Sequence, residues 1–419
     1  MSMHYLRSPW RPLIAALLVM LTLSVFTACG DGEEAADGES EQATTKNVIL
    51  LIGDGMGAAH RTAARLYSAG RDGELAMDTL PIAGMARTWS TESVVTDSAA
   101  AGTALATGVK TFNAGIAVDA DKNPVQTILE MAQEAGKSVG LVTTAQLAHA
   151  TPAVFAAHNP NRDDYLGIAL DMFEHDVDVL LGGGEDYLLP VGTPGCYPDD
   201  GDRTDNRNLV DEAVEKGYKH VCTEADFEAV DPEATDKLLG TFADLGMTRP
   251  FSPSLAGMTA KAIAILSRDA DGFFLMVEGG QIDWAAHAND ALNTLGDTAA
   301  FDEAVGLALD FQAQHPDTLV IVTADHATGG LTIEDLPQDE ACPEPLPDDQ
   351  RECKNALRED GPFEEKGGGR FWLDWTSVSH TADDVPVTAI GPHADDLAGY
   401  YENTHVFEVM RDSMALPQQ

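Results

Sequence analysis

The sequence predicts an α/β fold in which a central, mostly parallel sheet lies between two layers of helices. Short apolar runs rich in β-branched residues recur along the chain, and segments with helical spacing separate them. Strands that are covered on both faces have this continuous apolar character. Four runs also lead into residues that can bind metals, at 54, 149–151, 278 and 325–326. Because ligands bind at the carboxyl ends of such strands, these residues should meet at one rim of the sheet.

Strands and helices alternate along most of the chain. The predicted strands cover residues 47–52, 138–143, 177–181, 273–277, 318–323 and 385–390. Apolar residues at roughly helical spacing predict helices at 125–135, 255–266 and 297–311. Two stretches break the alternation. Residues 187–204 are rich in Pro, Gly and Asp and predict a loop, whereas 336–375 predict an inserted, loop-rich region over one edge of the sheet.

The first 29 residues have the pattern of a signal peptide. Arg7 and Arg11 precede an apolar stretch at 13–26 that is too short for a comfortable membrane span. Residues 26–30 (FTACG) resemble a lipobox and predict a lipidated Cys29, with ordinary cleavage near Ala28 as the alternative. The acidic segment 30–45 predicts a disordered tether before a domain at 46–419. We therefore expect an exported protein, periplasmic or at the cell surface, that a lipid anchors to the membrane.

The charge of the chain limits its partners. It has 69 acidic and 25 basic residues, which gives a formal net charge of −44. Nucleic acid is excluded as a partner because little in the chain would neutralise a phosphodiester backbone. The simplest interpretation is a heavily solvated surface. An acidic, Lys-poor surface also suits a salty environment, where ions screen the repulsion between like charges.

Four cysteines follow the predicted tether, and an even number in an exported chain predicts two disulfides. Proximity in sequence favours Cys196–Cys222 and Cys342–Cys353, although four cysteines allow three pairings. A zinc site made of all four is a weak alternative because no C-x2-C spacing is present.

Carboxylates and imidazoles stand at or just beyond the ends of three predicted strands. Asp54 lies within GDGMG, where glycines let the backbone turn sharply; alone, this motif is only a turn signal. Asp283 and His287 are four residues apart and would share one face of a helix, although such pairs are more often surface contacts. Asp325 and His326 follow a strand and suit a zinc ion, or could simply cap a turn.

A stretch of small residues at 96–108 (TDSAAAGTALATG) predicts a helix that packs closely against other backbone, with Ser98 near its start. The dipole at a helix N-terminus stabilises an anion or a bound phosphate there, but a serine in this place is also a common N-cap. Arg162 could hold two phosphate oxygens with its guanidinium group.

Together these residues resemble the alkaline phosphatase family, within the superfamily of metal-dependent phosphatases, sulfatases and phosphomutases. The resemblance runs from about 47 to 410 and implies the three-layer fold of that family. Six segments carry it in family order: GDGMG at 53–57, TDSAAAGTALATG at 96–108, TTAQLAHATPAVFAAHNPNR at 143–162, MVEGGQIDWAAH at 276–287, VTADHATGG at 322–330 and HTADDVPVTAIGP at 380–392.

The resemblance implies three metal sites. One zinc ion would be held by Asp283, His287 and His380. A second would be held by Asp54, Asp325 and His326, with Ser98 as its fourth ligand. A third metal, usually magnesium, would take Asp54, Thr151 and Glu278.

The resemblance also implies an activity. Ser98 would be the nucleophile that becomes phosphoserine, and Arg162 would grip the phosphate of small phosphate monoesters. We expect broad specificity, because little in this scheme holds the organic half of the substrate. Phosphate scavenging and a homodimer are implied as well.

Two positions depart from the enterobacterial enzyme of the family. His149 corresponds to an aspartate at the third metal site, and Trp284 corresponds to a nearby lysine; other family members resemble this His/Trp combination. An imidazole there favours Zn²⁺ or Co²⁺ over the hard ion Mg²⁺. Because Trp284 stands where that enzyme has a lysine, a positive charge near the phosphate is absent, and phosphate should be retained less tightly.

Two other classes of function remain open at this point. A sulfatase would need a C/S-x-P-x-R motif, which the segment from Ser98 to Gly102 lacks, whereas a phosphodiesterase of the same superfamily is not excluded. A non-catalytic lipoprotein that binds phosphate or metal would tolerate loss of Ser98 or of a ligand, yet the full set is present.

Overall fold

The computed structural model describes residues 45–335 and 359–418, in which a ten-stranded sheet is the largest sheet. The order of its strands is β15-β2-β14-β8-β1-β7-β3-β4-β6-β5. The strands of the described residues are β1 Asn47–Gly53, β2 Ile82–Arg87, β3 Ser138–Gln146, β4 Val179–Gly183, β5 Lys219–Val221, β6 Leu238–Thr241, β7 Phe273–Gly279, β8 Thr318–Thr323, β9 Ala327–Thr328, β10 Leu331–Glu334, β11 Glu359–Glu364, β12 Arg370–Trp375, β13 His380–Thr381, β14 Val385–Ile390 and β15 Gly399–Glu402.

The sheet is mostly parallel, which confirms the predicted fold class. Seven adjacent strands from β8 to β5 run parallel, and β2 and β15 are parallel to each other. Strand β14 is antiparallel to both of its neighbours, β8 and β2. The bounds of β14 agree with the sequence prediction, but an apolar run does not encode the direction of its strand.

Helices cover both faces of the sheet. Phe273 and Phe274 are neighbours in β7, so their side chains point to opposite faces. The ring of Phe273 packs against Phe311, and the ring of Phe274 packs against Phe155. These partners belong to α10 and α4. The α-helices of the described residues are α1 Ala58–Ser68, α2 Ser98–Thr107, α3 Ile128–Glu134, α4 Ala150–Ala156, α5 Tyr165–Glu174, α6 Leu209–Glu215, α7 Glu224–Glu228, α8 Leu255–Leu266, α9 Gln281–His287, α10 Ala291–Gln314 and α11 Thr404–Ser413.

The middle of the sheet forms the core. All five residues at 48–52 of β1 are fully buried, and so are those at 319–322 of β8. Burying apolar surface contributes about 25 cal/mol per Å², so these central strands hold the fold together. A rigid centre of this kind keeps the loops at the strand ends in fixed positions.

Several element bounds differ from the prediction. Strand β4 is shifted two residues later than 177–181, and α10 extends beyond 297–311 at both ends. Helix α3 is shorter than 125–135, because Thr127 caps it with a side chain that accepts from the Glu130 amide. Strands β2, β5, β6 and β15, which are the two outermost strands on each side of the sheet, were not predicted. Strands β5, β6 and β15 have only three or four residues, and β2 (IAGMAR) has a weak apolar pattern.

The predicted insertion at 336–375 contains regular structure in its second half. Strands β11 and β12 join β10 in a three-stranded antiparallel sheet, so this half is not loop-rich as predicted. Trp375 of β12 is buried and anchors this sheet in a second apolar cluster with Leu295 and Leu373.

The disulfide predictions have different outcomes. The structure joins Cys196 and Cys222, whose Cα atoms are 6.3 Å apart, in agreement with the prediction. The predicted Cys342–Cys353 pair lies outside the described residues. So do the signal peptide and Cys29. Among the described residues, none of the helices has the length and apolar character required to cross a bilayer.

Candidate functional site

The predicted rim exists at the carboxyl ends of four adjacent strands, β8, β1, β7 and β3. Asp54 follows β1, Glu278 is the second-last residue of β7, and Asp325 and His326 follow β8. His149 lies just beyond β3 and is the N-cap residue of α4. Residues more than 200 positions apart in sequence therefore meet because their strands are parallel neighbours.

Asp54 is the centre of the site. Its side chain is completely buried, and neither carboxylate oxygen has a hydrogen-bond partner. Burial raises the pKa of Asp54 well above 3.8, and the charges of Asp325, Asp283 and Glu278 raise it further. A buried carboxylate without a partner is costly unless a cation compensates it.

The turn after β1 brings Asp54 close to its neighbours through Gly55. This glycine has φ +71°, a conformation that favours glycine. A Cβ atom at Gly55 would lie 2.7 Å from Thr328 Oγ1 and 2.9 Å from Asp283 Oδ1. The Gly55 amide also donates to Asp325 Oδ1 at 3.0 Å. The GDGMG motif therefore allows the chain to turn and also lets its backbone lie close to Thr328 and Asp283.

A first group of ligand types consists of Asp283, His287 and His380. Asp283 and His287 lie on the short helix α9, as the sequence predicted, and His380 is in β13. Asp283 Oδ2 is 3.4 Å from His287 Nε2, and Asp283 Oδ1 is 3.5 Å from His380 Nε2. The potential ligand atoms of the three residues lie within 4.8 Å of one another.

A second group surrounds His326. Its Nε2 atom lies 3.1 Å from Asp325 Oδ2 and 3.5 Å from Asp54 Oδ1. The same nitrogen is 3.2 Å from the hydroxyl of Ser98. Asp283 lies within 4.8 Å of Asp54 and His326, so it connects this group to the first one.

The third group contains Asp54, His149 and Glu278. His149 Nδ1 is 4.0 Å from Asp54 Oδ2 and 3.9 Å from Glu278 Oε1. Burial lowers the pKa of His149 to about 3, so its imidazole is neutral at pH 7. Burial raises the pKa of Glu278 to about 7. Thr151 lies in the first turn of α4, and its buried hydroxyl has no hydrogen-bond partner.

Trp284 closes the third group on one side. Its ring meets the His149 ring edge-on, with 5.8 Å between the centroids. A Cβ atom at Gly246 would lie 2.4 Å from the Trp284 ring, so a side chain at 246 would displace the indole. The His/Trp combination noted in the sequence is thus one packed unit.

The histidine tautomers favour bound cations. The Nδ1 atoms of His287 and His380 lie 2.7 Å and 2.9 Å from backbone carbonyl oxygens, which can only accept, so both Nδ1–H groups donate. The Thr328 hydroxyl donates to Asp283 and lies 3.2 Å from His326 Nδ1, so it accepts from that ring. Each Nε2 atom then presents its lone pair to carboxylate oxygens. Only a second proton or a cation makes such contacts favourable, and this orientation is typical of metal ligands.

Ser98 is the first residue of α2 and is almost completely buried. Asp97, and not Ser98, is the N-cap: its side chain accepts from the Ala100 amide at 3.0 Å. The alternative in which Ser98 merely caps the helix is therefore wrong. The hydroxyl is free to face His326 at the positive end of the helix dipole.

Arg162 approaches the same place from the loop after α4. Its Nη1 atom donates to Asp97 Oδ2 at 2.9 Å, and its Nη2 atom is 3.4 Å from His149 Nε2. The guanidinium group therefore lies between the start of α2 and the third group.

Three supporting residues were missed in the sequence. Asp97 positions Arg162, Thr328 connects His326 with Asp283, and Thr143 donates to Glu278. Threonine and aspartate are frequent in turns and caps, so type and position alone did not distinguish these residues. Asp97 caps a helix and Thr328 ends a strand at the rim, which is the signal that could have found them, whereas Thr143 lies inside β3 opposite Glu278 and gives no such signal.

Comparison with known proteins identifies the family of this chain. The family described as alkaline phosphatase matches residues 45–416. Alkaline phosphatase 3 of Bacillus subtilis is 35% identical over 95% of this chain and 96% of its own length. Streptomycin-6-phosphate phosphatase of Streptomyces griseus is 36% identical over 99% of this chain and 100% of its own length.

A solved structure gives the same result for the fold. The alkaline phosphatase of the Antarctic bacterium TAB5 is 30% identical and has a TM-score of 0.73. It covers 90% of this chain and is itself covered completely.

Proposed function

Because this chain belongs to the alkaline phosphatase family, we propose that the cluster around Asp54 and Ser98 is the active site of its phosphomonoesterase activity. One observation carries the assignment: the Ser98 hydroxyl lies 3.2 Å from His326 Nε2, at a helix N-terminus beside unpaired buried carboxylates. A nucleophile and a compensating set of metal ligands are thus adjacent. The activity expected is hydrolysis of small phosphate monoesters with broad specificity, used for phosphate scavenging.

The donor set fits two zinc ions and a third cation. Carboxylates and imidazole Nε2 atoms are ordinary zinc ligands. Buried oxygens of Asp54, Asp325 and Glu278 have no hydrogen-bond partner, which a cation would correct. The first ion would be held by Asp283, His287 and His380; the second by Asp54, Asp325, His326 and Ser98; the third by Asp54, Thr151 and Glu278, beside His149. When bound, such ions act as Lewis acids, lowering the pKa of a hydroxyl or water and stabilising the charge of the leaving group.

Ser98 is the proposed nucleophile. Its hydroxyl loses its proton to solvent and its oxygen attacks phosphorus in line; the bond from phosphorus to the ester oxygen breaks, the alcohol leaves after that oxygen takes up a proton, and the phosphoryl group is transferred to Ser98. Water then attacks the phosphoserine and releases inorganic phosphate. Two in-line displacements retain the configuration at phosphorus, which separates this route from direct attack by water.

Arg162 is the proposed phosphate clamp. Its guanidinium group can donate two parallel hydrogen bonds to nonbridging phosphate oxygens. Asp97 holds one side of the group through Nη1, so the arginine is oriented before the substrate arrives. Charge that develops on these oxygens in the transition state would be stabilised by the same donors.

The metal preference of the third site should differ from that of enzymes with an aspartate at the position of His149. Solved variants of the TAB5 enzyme, in which aspartate or glutamate replaces one histidine, have Mg bound in a site called M3. We assign His149 as the counterpart of that histidine. Its neutral imidazole favours Zn²⁺ or Co²⁺, so His149→Asp should shift the third site toward Mg²⁺. Equal magnesium content in the purified His149→Asp variant and the parent would contradict this assignment.

The activity assay uses the purified protein and a simple aryl phosphate. We expect turnover at alkaline pH that chelation abolishes and that zinc plus magnesium restore. Ser98→Ala should lose roughly three orders of magnitude or more, whereas Ser254→Ala, at the cap of α8, should remain active. Full activity in Ser98→Ala would refute the nucleophile. Turnover of a diester but not of a monoester would instead favour a phosphodiesterase.

Export, lipid attachment at Cys29 and a homodimer complete the proposal. They rest on the sequence pattern at 1–30 and on the family. Mass spectrometry of the mature N-terminus tests the lipid, because an unmodified terminus downstream of Cys29 would contradict it. Light scattering of the purified protein tests the dimer.

A further inference from the structure

A separate cluster of metal-ligand side chains lies outside the active site. Glu130 is in α3, His158 is in the loop after α4, and His175 is the C-cap residue of α5. Glu130 Oε1 is 3.0 Å from His158 Nε2 and 2.8 Å from His175 Nε2. One carboxylate oxygen therefore faces two imidazole nitrogens that come from different elements.

Hydrogen bonds orient all three side chains toward their common centre. His158 Nδ1 donates to the carbonyl of Ala117, and His175 Nδ1 donates to that of Asp171, both at 2.9 Å. The second oxygen of Glu130 accepts from the Thr127 amide at 2.7 Å. This is the arrangement found at the active site, where an oxygen acceptor holds each Nδ1–H group and each Nε2 atom faces a carboxylate.

We propose that Glu130, His158 and His175 form an additional binding site for a zinc-type divalent cation. Two imidazoles and one carboxylate are a usual set of three protein ligands for zinc, and a hard ion such as Mg²⁺ prefers oxygen. The candidate ligand atoms lie within 4.8 Å of one another. The side chains are 16–25% exposed, so an ion can enter and water can take the fourth position.

The ion would stabilise the segment that carries Arg162. His158 holds Ala117, and the next residue, Asn159, exchanges two backbone hydrogen bonds with Ile116. Further along, the Arg162 amide donates to Ala114 at 3.0 Å. A cation at the cluster would thus join α3 and α5 to the loop on which the phosphate clamp lies. Its role is positioning, because none of the three ligands reaches the reacting atoms.

The test compares zinc binding by the holoenzyme and two variants. His175→Gln removes one ligand of the cluster. His405→Gln is the matched control, since His405 pairs with Glu408 at 2.9 Å but faces one carboxylate only. Each protein is first loaded with metal at the active site, then dialysed against free Zn²⁺, and zinc per chain is measured together with Tm.

We expect the parent and His405→Gln to hold one more zinc per chain than His175→Gln. The apparent dissociation constant of the additional ion should rise at least about tenfold in His175→Gln, while turnover persists at saturating substrate. Equal zinc content in the parent and His175→Gln would overturn the proposal, because protons would then hold the cluster together. If His175→Gln fails to fold, anomalous diffraction at the zinc edge from parent crystals decides: a peak between the three side chains supports the site, and its absence at saturating zinc contradicts it.

Discussion

Glu278→Gln should stabilise the protein when metal is absent and abolish its activity when metal is present. Burial raises the pKa of Glu278 from 4.5 to about 7, so its ionised form is unfavourable in the metal-free fold. One pKa unit corresponds to about 1.4 kcal/mol, and the carboxylate therefore costs roughly 3 kcal/mol at pH 8. The amide has nearly the same shape, and its oxygen can still accept from Thr143.

The expected gain is smaller than the full cost. The new amide NH2 group faces the region of His149 Nδ1, which is 3.9 Å from Glu278 Oε1, and incomplete pairing costs about 1 kcal/mol. We therefore expect the free energy of unfolding of the chelated protein to rise by about 2 kcal/mol, with a Tm higher by a few degrees. With zinc and magnesium restored, the parent should gain more stability than the variant, which lacks one ligand.

The assay is thermal unfolding at pH 8 with a chelator, followed by hydrolysis of an aryl phosphate after metals are restored. Glu130→Gln is the matched control. Although burial opposes the effect, hydrogen bonds from His158 and His175 lower the pKa of Glu130, so this variant should be less stable than the parent. The reasoning is refuted if chelated Glu278→Gln melts at or below the temperature of the chelated parent.

Two further predictions concern pH and the phosphate clamp. Asp54, Glu278 and His380 have raised pKa values in the metal-free fold, so at these three groups the folded state holds more protons than the unfolded state between pH 6.5 and 8, and their contribution to stability falls as pH rises. The lowered pKa of buried His149 acts in the opposite direction near pH 6.5, so the net loss should be clearest in the upper half of this window. The Tm of the chelated protein should therefore fall across this window, whereas the Tm of the metal-loaded protein should not. Parallel plots of Tm against pH for the two forms would contradict this link between protonation and stability. Arg162→Lys should reduce kcat/KM roughly tenfold or more and raise KM, because lysine cannot form the bidentate contact, and unchanged steady-state kinetics would exclude the clamp.

The central strands could be predicted because their residues are apolar throughout. Strands β1 and β8 and helix α8 have nearly the predicted bounds, since burial on both faces or on one long face leaves a strong pattern. The edge strands β5 and β15 could not be found in this way, because they are short and only partly covered. The reversed direction of β14 could not be predicted either, because it depends on the path of the chain before that strand.

The site was predictable to a similar extent. Asp54, Asp325 and His326 follow apolar runs, so parallel strands alone bring them together. Contacts made by Thr328 and Asp97 depend on rotamers and turn geometry, which sequence spacing does not specify. The Glu130 cluster also escaped notice, because its three ligands come from elements that the sequence does not connect.

The most direct test of the central claim is to find the phosphoryl group on Ser98. The protein is mixed with an aryl phosphate, quenched with acid during turnover, digested and examined by mass spectrometry. We predict a phosphorylated peptide containing Ser98 in the parent and its absence in Ser98→Ala. Turnover without any phosphorylated Ser98, under conditions that trap acid-stable phosphoserine, would contradict the proposed mechanism.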